Sequence, residues 1–217
     1  TYAAGYANNV AAFDKTAKYD FDGDQVIFEG AMPEIVTKTH QAKETIHYVY
    51  RDGRSAKPDK VLTSITLKQT GSKNPFTGEI TWNTPATDAL NSVDSPEITG
   101  YSADKLTVPS YVVTMTSPDK EVTVTYHANA QTATITYVDD TTKNNLDSKD
   151  ASGKFGQAIT FKTAPTDEIA KYEKQGYKLV SNDFNSNKYQ ADNSKNVFHV
   201  HFVHDTKKVS RNDDVNM

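Results

Sequence analysis

Cysteine is absent from the 217 residues. Disulfides, thiolate metal sites and cysteine nucleophiles are excluded with it. Apolar residues are scarce, at 36%, and the mean hydropathy is -0.68. Only thin cores can be built from that stock, and sheets with one buried face suit it better than one thick globule. There is no run of about 20 apolar residues, the length a membrane-spanning helix needs. A signal peptide and a sorting signal are also missing, so an exported protein would carry them outside this stretch. Neither sign of charge dominates: 24 Lys+Arg face 28 Asp+Glu, for a net -4. Nucleic acid calls for a basic stripe, and none is present. Gly-x-Ser-x-Gly, His-Glu-x-x-His and Gly-rich phosphate loops do not occur. The carboxylates are scattered, and none is marked as half of a glycosidase pair. The chain reads as a non-enzyme.

What is present is a strand signal. Twelve Tyr and nine Phe join many Val, Ile and Thr, and disordered chains are poor in those residues. Period-two runs bounded by Gly, Pro, Asn and Asp stand at Glu44–Tyr50, Lys60–Lys68, Glu121–Tyr126, Thr132–Val138, Ala158–Lys162, Tyr177–Val180 and Asn196–Val203. Ile46, Tyr48 and Tyr50 share one face, as do Val122, Val124 and Tyr126. One helix is signalled near residue 166. Thr166 is its expected cap, with Asp167 and Glu168 in the first turn, Ile169 and Tyr172 on one face, and Gly176 ending it.

The fold class expected is mainly β, in elongated tandem modules. Residues 41–129 form an all-β module punctuated by Pro and Gly. Residues 130–205 run strand, strand, helix, strand, strand, with the second strand expected near Ile159, which is the order of a β-grasp (ubiquitin-like) module. Residues 1–40 are the end of an upstream module or extra strands of the first, and 206–217 are a tail. An internal echo supports an array: Thr45-Ile-His-Tyr-Val-Tyr50 and Thr134-Ile-Thr-Tyr-Val138 open the two modules.

Eight runs, four in each module, carry a family likeness. Ser64–Thr70, Thr77–Trp82, Val93-Asp-Ser-Pro-Glu-Ile-Thr-Gly-Tyr101 and Asp119–Tyr126 resemble the second module of lactobacillus mucus-binding protein (MUB) repeats. Thr134–Asp140, Gly153–Phe161, Gly176-Tyr-Lys-Leu-Val-Ser-Asn-Asp-Phe184 and Val197–His204 resemble the β-grasp mucin-binding module of the same family. The Ser-Pro-x-x-x-Gly-Tyr and Gly-Tyr-x-Leu-Val-Ser-Asn-Asp stretches are the most specific. The resemblance implies an extracellular, cell-wall-anchored adhesin repeat, its anchor outside this stretch. Host mucin glycans, sialylated ones among them, are the implied partner, with immunoglobulins and adjacent repeats of the same chain as further partners. A structural spacer is the alternative. No membrane insertion is expected.

Candidate binding residues are the lone tryptophan, Trp82, and the tyrosines Tyr101 and Tyr189, since an aromatic face suits the apolar side of a pyranose. The favoured reading of Trp82 is nonetheless an anchor for the core of a small module, since a thin core uses its largest apolar residue first. No cofactor is required, but Asp20, Asp22 and Asp24 alternate around a glycine and offer hard oxygen ligands to calcium. The competing reading is a solvated Asp-Gly turn. His199 and His201 share a strand face and would need further ligands to hold zinc.

Overall fold

The computed structural model describes residues 18–21, 24–27 and 32–206. They fall into two compact units, both built mostly of strands. The first takes the chain up to Val49, then Ser55–Ser95 and Lys105–Val124; the second takes Tyr50–Arg54, Pro96–Asp104 and the chain from Thr125 on.

In the first unit, β1 (Lys18–Phe21) pairs antiparallel with β2 (Asp24–Ile27). Strands β3 (Glu34–His40), β4 (Lys43–Tyr50), β5 (Ser55–Thr63), β6 (Leu67–Lys73) and β7 (Ile80–Trp82) follow. A three-stranded sheet runs β3-β6-β7, so part of residues 1–40 supplies a strand to this unit. The period-two run at 60–68 does not form one strand. Ser64–Thr66 interrupt it, because the Ile65 N–H is taken by Asp88 Oδ2 (3.0 Å) and the Ser64 Oγ accepts the Ala42 N–H (3.1 Å). Short strands β8 (Asp88–Leu90), β9 (Val93–Asp94), β11 (Thr107–Val108) and β12 (Tyr111–Val113) come next, with β12 paired to β8 and β11 to β9, while β10 (Tyr101–Ala103) belongs to the second unit. One core cluster of this unit gathers Ala42, Leu67, Leu90 and Val113, with Leu62, Tyr111 and Met115 packed on them.

Strand β4 lies between β5 and β13 (Lys120–Ala128). Its alternation buries Glu44, Ile46 and Tyr48. Glu44 is the exception to an apolar face: it is fully buried, neither oxygen is hydrogen-bonded, and Lys120 Nζ stands 3.9 Å away. β5 is an edge strand and tolerates Pro58, which needs no ladder partner there. The register shifts at this proline, from Ile46↔Lys60 to Tyr48↔Lys57. Asp59 Oδ2 lies 3.0 Å from His47 Nδ1, while Glu121 Oε1 on β13 lies 3.6 Å from Nε2.

The Asp59 hydrogen bond, helped by Glu121, raises the His47 pKa above 6.5. A raised folded-state pKa stabilises the fold fully below the unfolded value and loses that contribution as pH climbs through the folded value. The stability gap between the native chain and His47→Gln should therefore be largest below pH 6.5 and close above it. Urea unfolding of both chains across pH 5 to 9 (about the range in which histidine titrates) checks this, and a gap that widens with pH would contradict it.

The second unit holds one four-stranded sheet, ordered β15-β14-β17-β16. These are β14 (Ala130–Asp139), β15 (Asn144–Lys154), β16 (Lys178–Asn182) and β17 (Val197–Val203). β14 and β17 are parallel neighbours at the centre; the outer pairs are antiparallel. Helix α1 (Pro165–Lys174) buries Ile169 and Tyr172. The core gathers Ile135, Tyr137, Phe198, Val200 and Phe202 from the central strands with Ile159, Phe161 and Tyr189 from loops. The hairpin partner of β14 is β15, not a strand near Ile159, where only an isolated bridge joins Ala158 to Lys188. The Ile159 and Phe161 alternation fills the core from a loop. The helix also starts differently from expectation. Ala164 occupies the cap position without a side-chain hydrogen bond, and Pro165 opens the first turn, where a missing N–H costs nothing. Gly176 ends it in the left-handed region, φ 95°, as its position predicts.

Candidate functional site

The second unit carries a groove of about 450 Å³. Residues 50–54 form one wall. They are a tight turn, with the Gly53 N–H on the Tyr50 carbonyl (2.9 Å) and the Tyr50 N–H on the Arg54 carbonyl (2.8 Å). Gly53 supplies the positive φ of 88° that the turn needs. Asp52 locks the turn by accepting the Arg54 backbone N–H (3.0 Å) and its Nε–H (2.7 Å). These two bonds hold the Asp52 carboxyl below its usual range, and Asp52 in turn raises Arg54.

The floor is aromatic. Tyr50 and Tyr101 have ring centroids 4.9 Å apart, and Tyr101 and Phe155 5.5 Å apart at 77°, an edge-on arrangement that ring quadrupoles favour. The Arg54 guanidinium covers the Tyr50 ring at 5.3 Å. Backbone bonds fix this row: Asn129 N–H to the Gly100 carbonyl and Phe155 N–H to the Asn129 carbonyl, both 2.9 Å. Gly100 sits at φ 84° with the Phe155 ring so close that a Cβ would come within 2.4 Å of it. Tyr126, buried, donates its hydroxyl to the Pro96 carbonyl at 2.6 Å.

The rim is charged. Arg51, Arg54 and Lys154 line the groove with His127, against the single carboxylate of Asp52. Asp52 is committed to Arg54, and no carboxylate among the described residues pairs with Arg51 or Lys154. On a chain of net charge -4, this is a local positive excess. Floor and rim together suit a ligand with an apolar face and an anionic group.

Of the residues singled out in the sequence, Tyr101 lies in this groove. Tyr189 does not: it is 2% exposed, its ring packs against Gly153 in the core, and it offers no face to a ligand. Trp82 belongs to the first unit. It lies outside that unit's core, 36% exposed on β7, over Gly71 and beneath Lys38 Nζ at 4.2 Å. Asp20 and Asp24 stand on the paired backbones of β1 and β2, and Asp22 lies outside the described residues. Among the described residues no group of three or more metal-donor side chains converges. His201 Nδ1 instead meets Asp140 (2.8 Å), and His204 Nδ1 meets Asp139 (3.1 Å). Arg51, Asp52, Lys154 and Phe155 were not distinguished by sequence pattern. Their signal was the glycines: Gly53, Gly100 and Gly156 all have positive φ, and each is next in sequence to a residue that lines the groove.

The described chain is thus two β units, one bearing an aromatic groove rimmed by cations. The family models agree. A Muc B2-like domain matches residues 34–130 and a mucin binding domain matches residues 131–204; the chain belongs to the mucin-binding domain family. Among solved structures, the mucin-binding domain of a Streptococcus pneumoniae protein is 35% identical over 44% of this chain and 97% of its own, with a TM-score of 0.39. A MucBP domain from Lactobacillus acidophilus is 33% identical over 45% of this chain and 100% of its own, TM-score 0.40. The type 2 repeat of the mucus binding protein MUB from Lactobacillus reuteri is 21% identical over 59% and 83%, TM-score 0.38. No curated protein matches the chain. Among the described residues no helix is long and apolar enough to cross a membrane.

Proposed function

We propose that this chain is an extracellular adhesin repeat, part of a cell-wall-anchored protein, that holds mucin glycoproteins through the Tyr50–Tyr101–Phe155 groove. The observation that carries the reading is the pairing of a fixed aromatic floor with the cations Arg51 and Lys154, which no carboxylate among the described residues pairs. A pyranose lays its C–H face on the rings, while a sialyl carboxylate or other acidic group at the glycan end meets the two cations. The floor is set before binding, so little ordering entropy is lost. One groove, half open and wet, binds weakly, and repeats along a surface raise the effective concentration until attachment holds. Calcium plays no part in this contact, so a chelator leaves it unchanged.

Binding to immobilised mucin tests the reading. The native chain should bind saturably and lose most of its signal after sialidase treatment. The double variant Arg51→Glu with Lys154→Glu should bind roughly tenfold more weakly or worse, the equivalent of about 1.4 kcal/mol, with a matching loss of salt dependence. A multimerised native chain that binds no mucin would favour the spacer reading.

A further inference from the structure

The three-stranded sheet of the first unit leads into a second concavity, of about 240 Å³. The loop between β6 and β7 is closed on itself. The Asn74 N–H reaches the Glu79 carbonyl (2.7 Å) and the Gly78 N–H the Asn74 carbonyl (2.8 Å). Asn74 Oδ1 accepts the N–H groups of Phe76 (2.8 Å) and Thr77 (3.2 Å). A loop so bonded is held in one shape, yet it presents Phe76 with 73% of its surface in solvent. That ring walls the concavity together with Pro33 and Pro75. Ser72 and Thr81 also line it. They are register partners across β6 and β7, so their hydroxyls stand on the same face of the sheet. The side chains of Ser72, Glu79 and Thr81 are spent on no other described residue. Among the described residues no cation lines the concavity, and one carboxylate, Glu79, does.

We infer that this concavity is a second saccharide site, taking a single uncharged pyranose with its C–H face on Phe76 and its hydroxyls on Ser72, Thr81 and Glu79. An ionised carboxylate accepts hydrogen bonds and donates none, so Glu79 suits a diol and repels an acidic sugar. The volume is below the roughly 300–1,000 Å³ of sites for drug-sized ligands, which leaves room for one ring. The charge preference is the opposite of the groove in the second unit. The site stands whether or not that groove binds mucin.

Amide shifts of the ¹⁵N-labelled chain, titrated with methyl β-galactoside and methyl N-acetyl-β-glucosaminide, test the inference. Saturable shifts confined to residues 72–81, in the millimolar range, are expected with at least one of the two. Phe76→Ala should weaken them roughly tenfold or more and leave the rest of the spectrum in place, because the ring is mostly in solvent. Ser72→Ala should weaken them as well. Free sialic acid should leave this loop unmoved. Absence of loop shifts with both neutral sugars, an undiminished response in Phe76→Ala, or an equal response to sialic acid would overturn the inference.

Discussion

Alanine in place of Gly100 is expected to abolish mucin binding and to destabilise the second unit by about 2–5 kcal/mol. Two costs add. At φ 84° an L side chain is strained, which costs about 1–2 kcal/mol. The new Cβ would also stand 2.4 Å from Phe155 Cδ1 and Cγ. The ring must leave its place, and overpacking of that kind costs about 1–3 kcal/mol. Displacing Phe155 takes the end from the aromatic floor that Tyr50 and Tyr101 continue. Gly156→Ala separates the two costs. Its φ is 79°, but nothing lies within 4 Å of the added Cβ, so only the backbone term applies. Thermal unfolding of both variants checks the difference. Equal losses would mean that Phe155 yields freely and that the floor is not rigid.

The second large effect lies in the core. Phe202→Ala should cost about 3–5 kcal/mol and leave the second unit unfolded or nearly so. Phe202 is fully buried on β17. Its ring meets Tyr172 of α1 (5.3 Å), Tyr177 (6.0 Å) and Tyr137 of β14 (6.5 Å). A helix, a central strand and the chain after the helix thus converge on one side chain, and no neighbour can fill the space without moving several others. Phe202→Leu keeps most of the volume and should cost less than half as much. A loss under about 1 kcal/mol for the alanine variant in denaturant unfolding, well below the usual cost of a cavity, would show that the site collapses.

Much of this fold is legible in the sequence. Ile46 with Tyr48, Val124 with Tyr126, Ile135 with Tyr137, and Phe198, Val200 and Phe202 alternate as half-buried strands must, and all are buried. β15 is not legible: Asn144–Lys154 offers Leu146 and Ala151 as its only partly buried apolar residues packed on the core. An edge strand needs backbone pairing and only one neighbour, so it can be written in Asp, Lys and Ser, which also guard the edge against further pairing. The loop residues Ile159 and Phe161 mislead in the opposite sense, because burial produces alternation whether or not a ladder forms. The groove is legible only in part. Its walls come from the turn at residues 50–54, from Tyr101, and from residues 126–128 and 154–157, and hydrophobic period says nothing about which turns meet. The Ser-Pro-x-x-x-Gly-Tyr run was the visible trace. Within it the Pro96 carbonyl takes the Tyr126 hydroxyl, Gly100 admits Phe155, and Tyr101 lies between two rings. What the run could not reveal is its partners, Arg51 and Lys154, ordinary exposed cations until the fold sets them around one concavity.

The most direct measurement is an amide-shift map of the labelled chain with oligosaccharides released from mucin. Apart from any shifts in the 72–81 loop, the account predicts saturable shifts at residues 50–54, 100–101 and 154–157 that are lost in Tyr101→Ala and reduced when the oligosaccharides are first treated with sialidase. Shifts confined to α1 and β16, or a groove map unchanged in Tyr101→Ala, would contradict it.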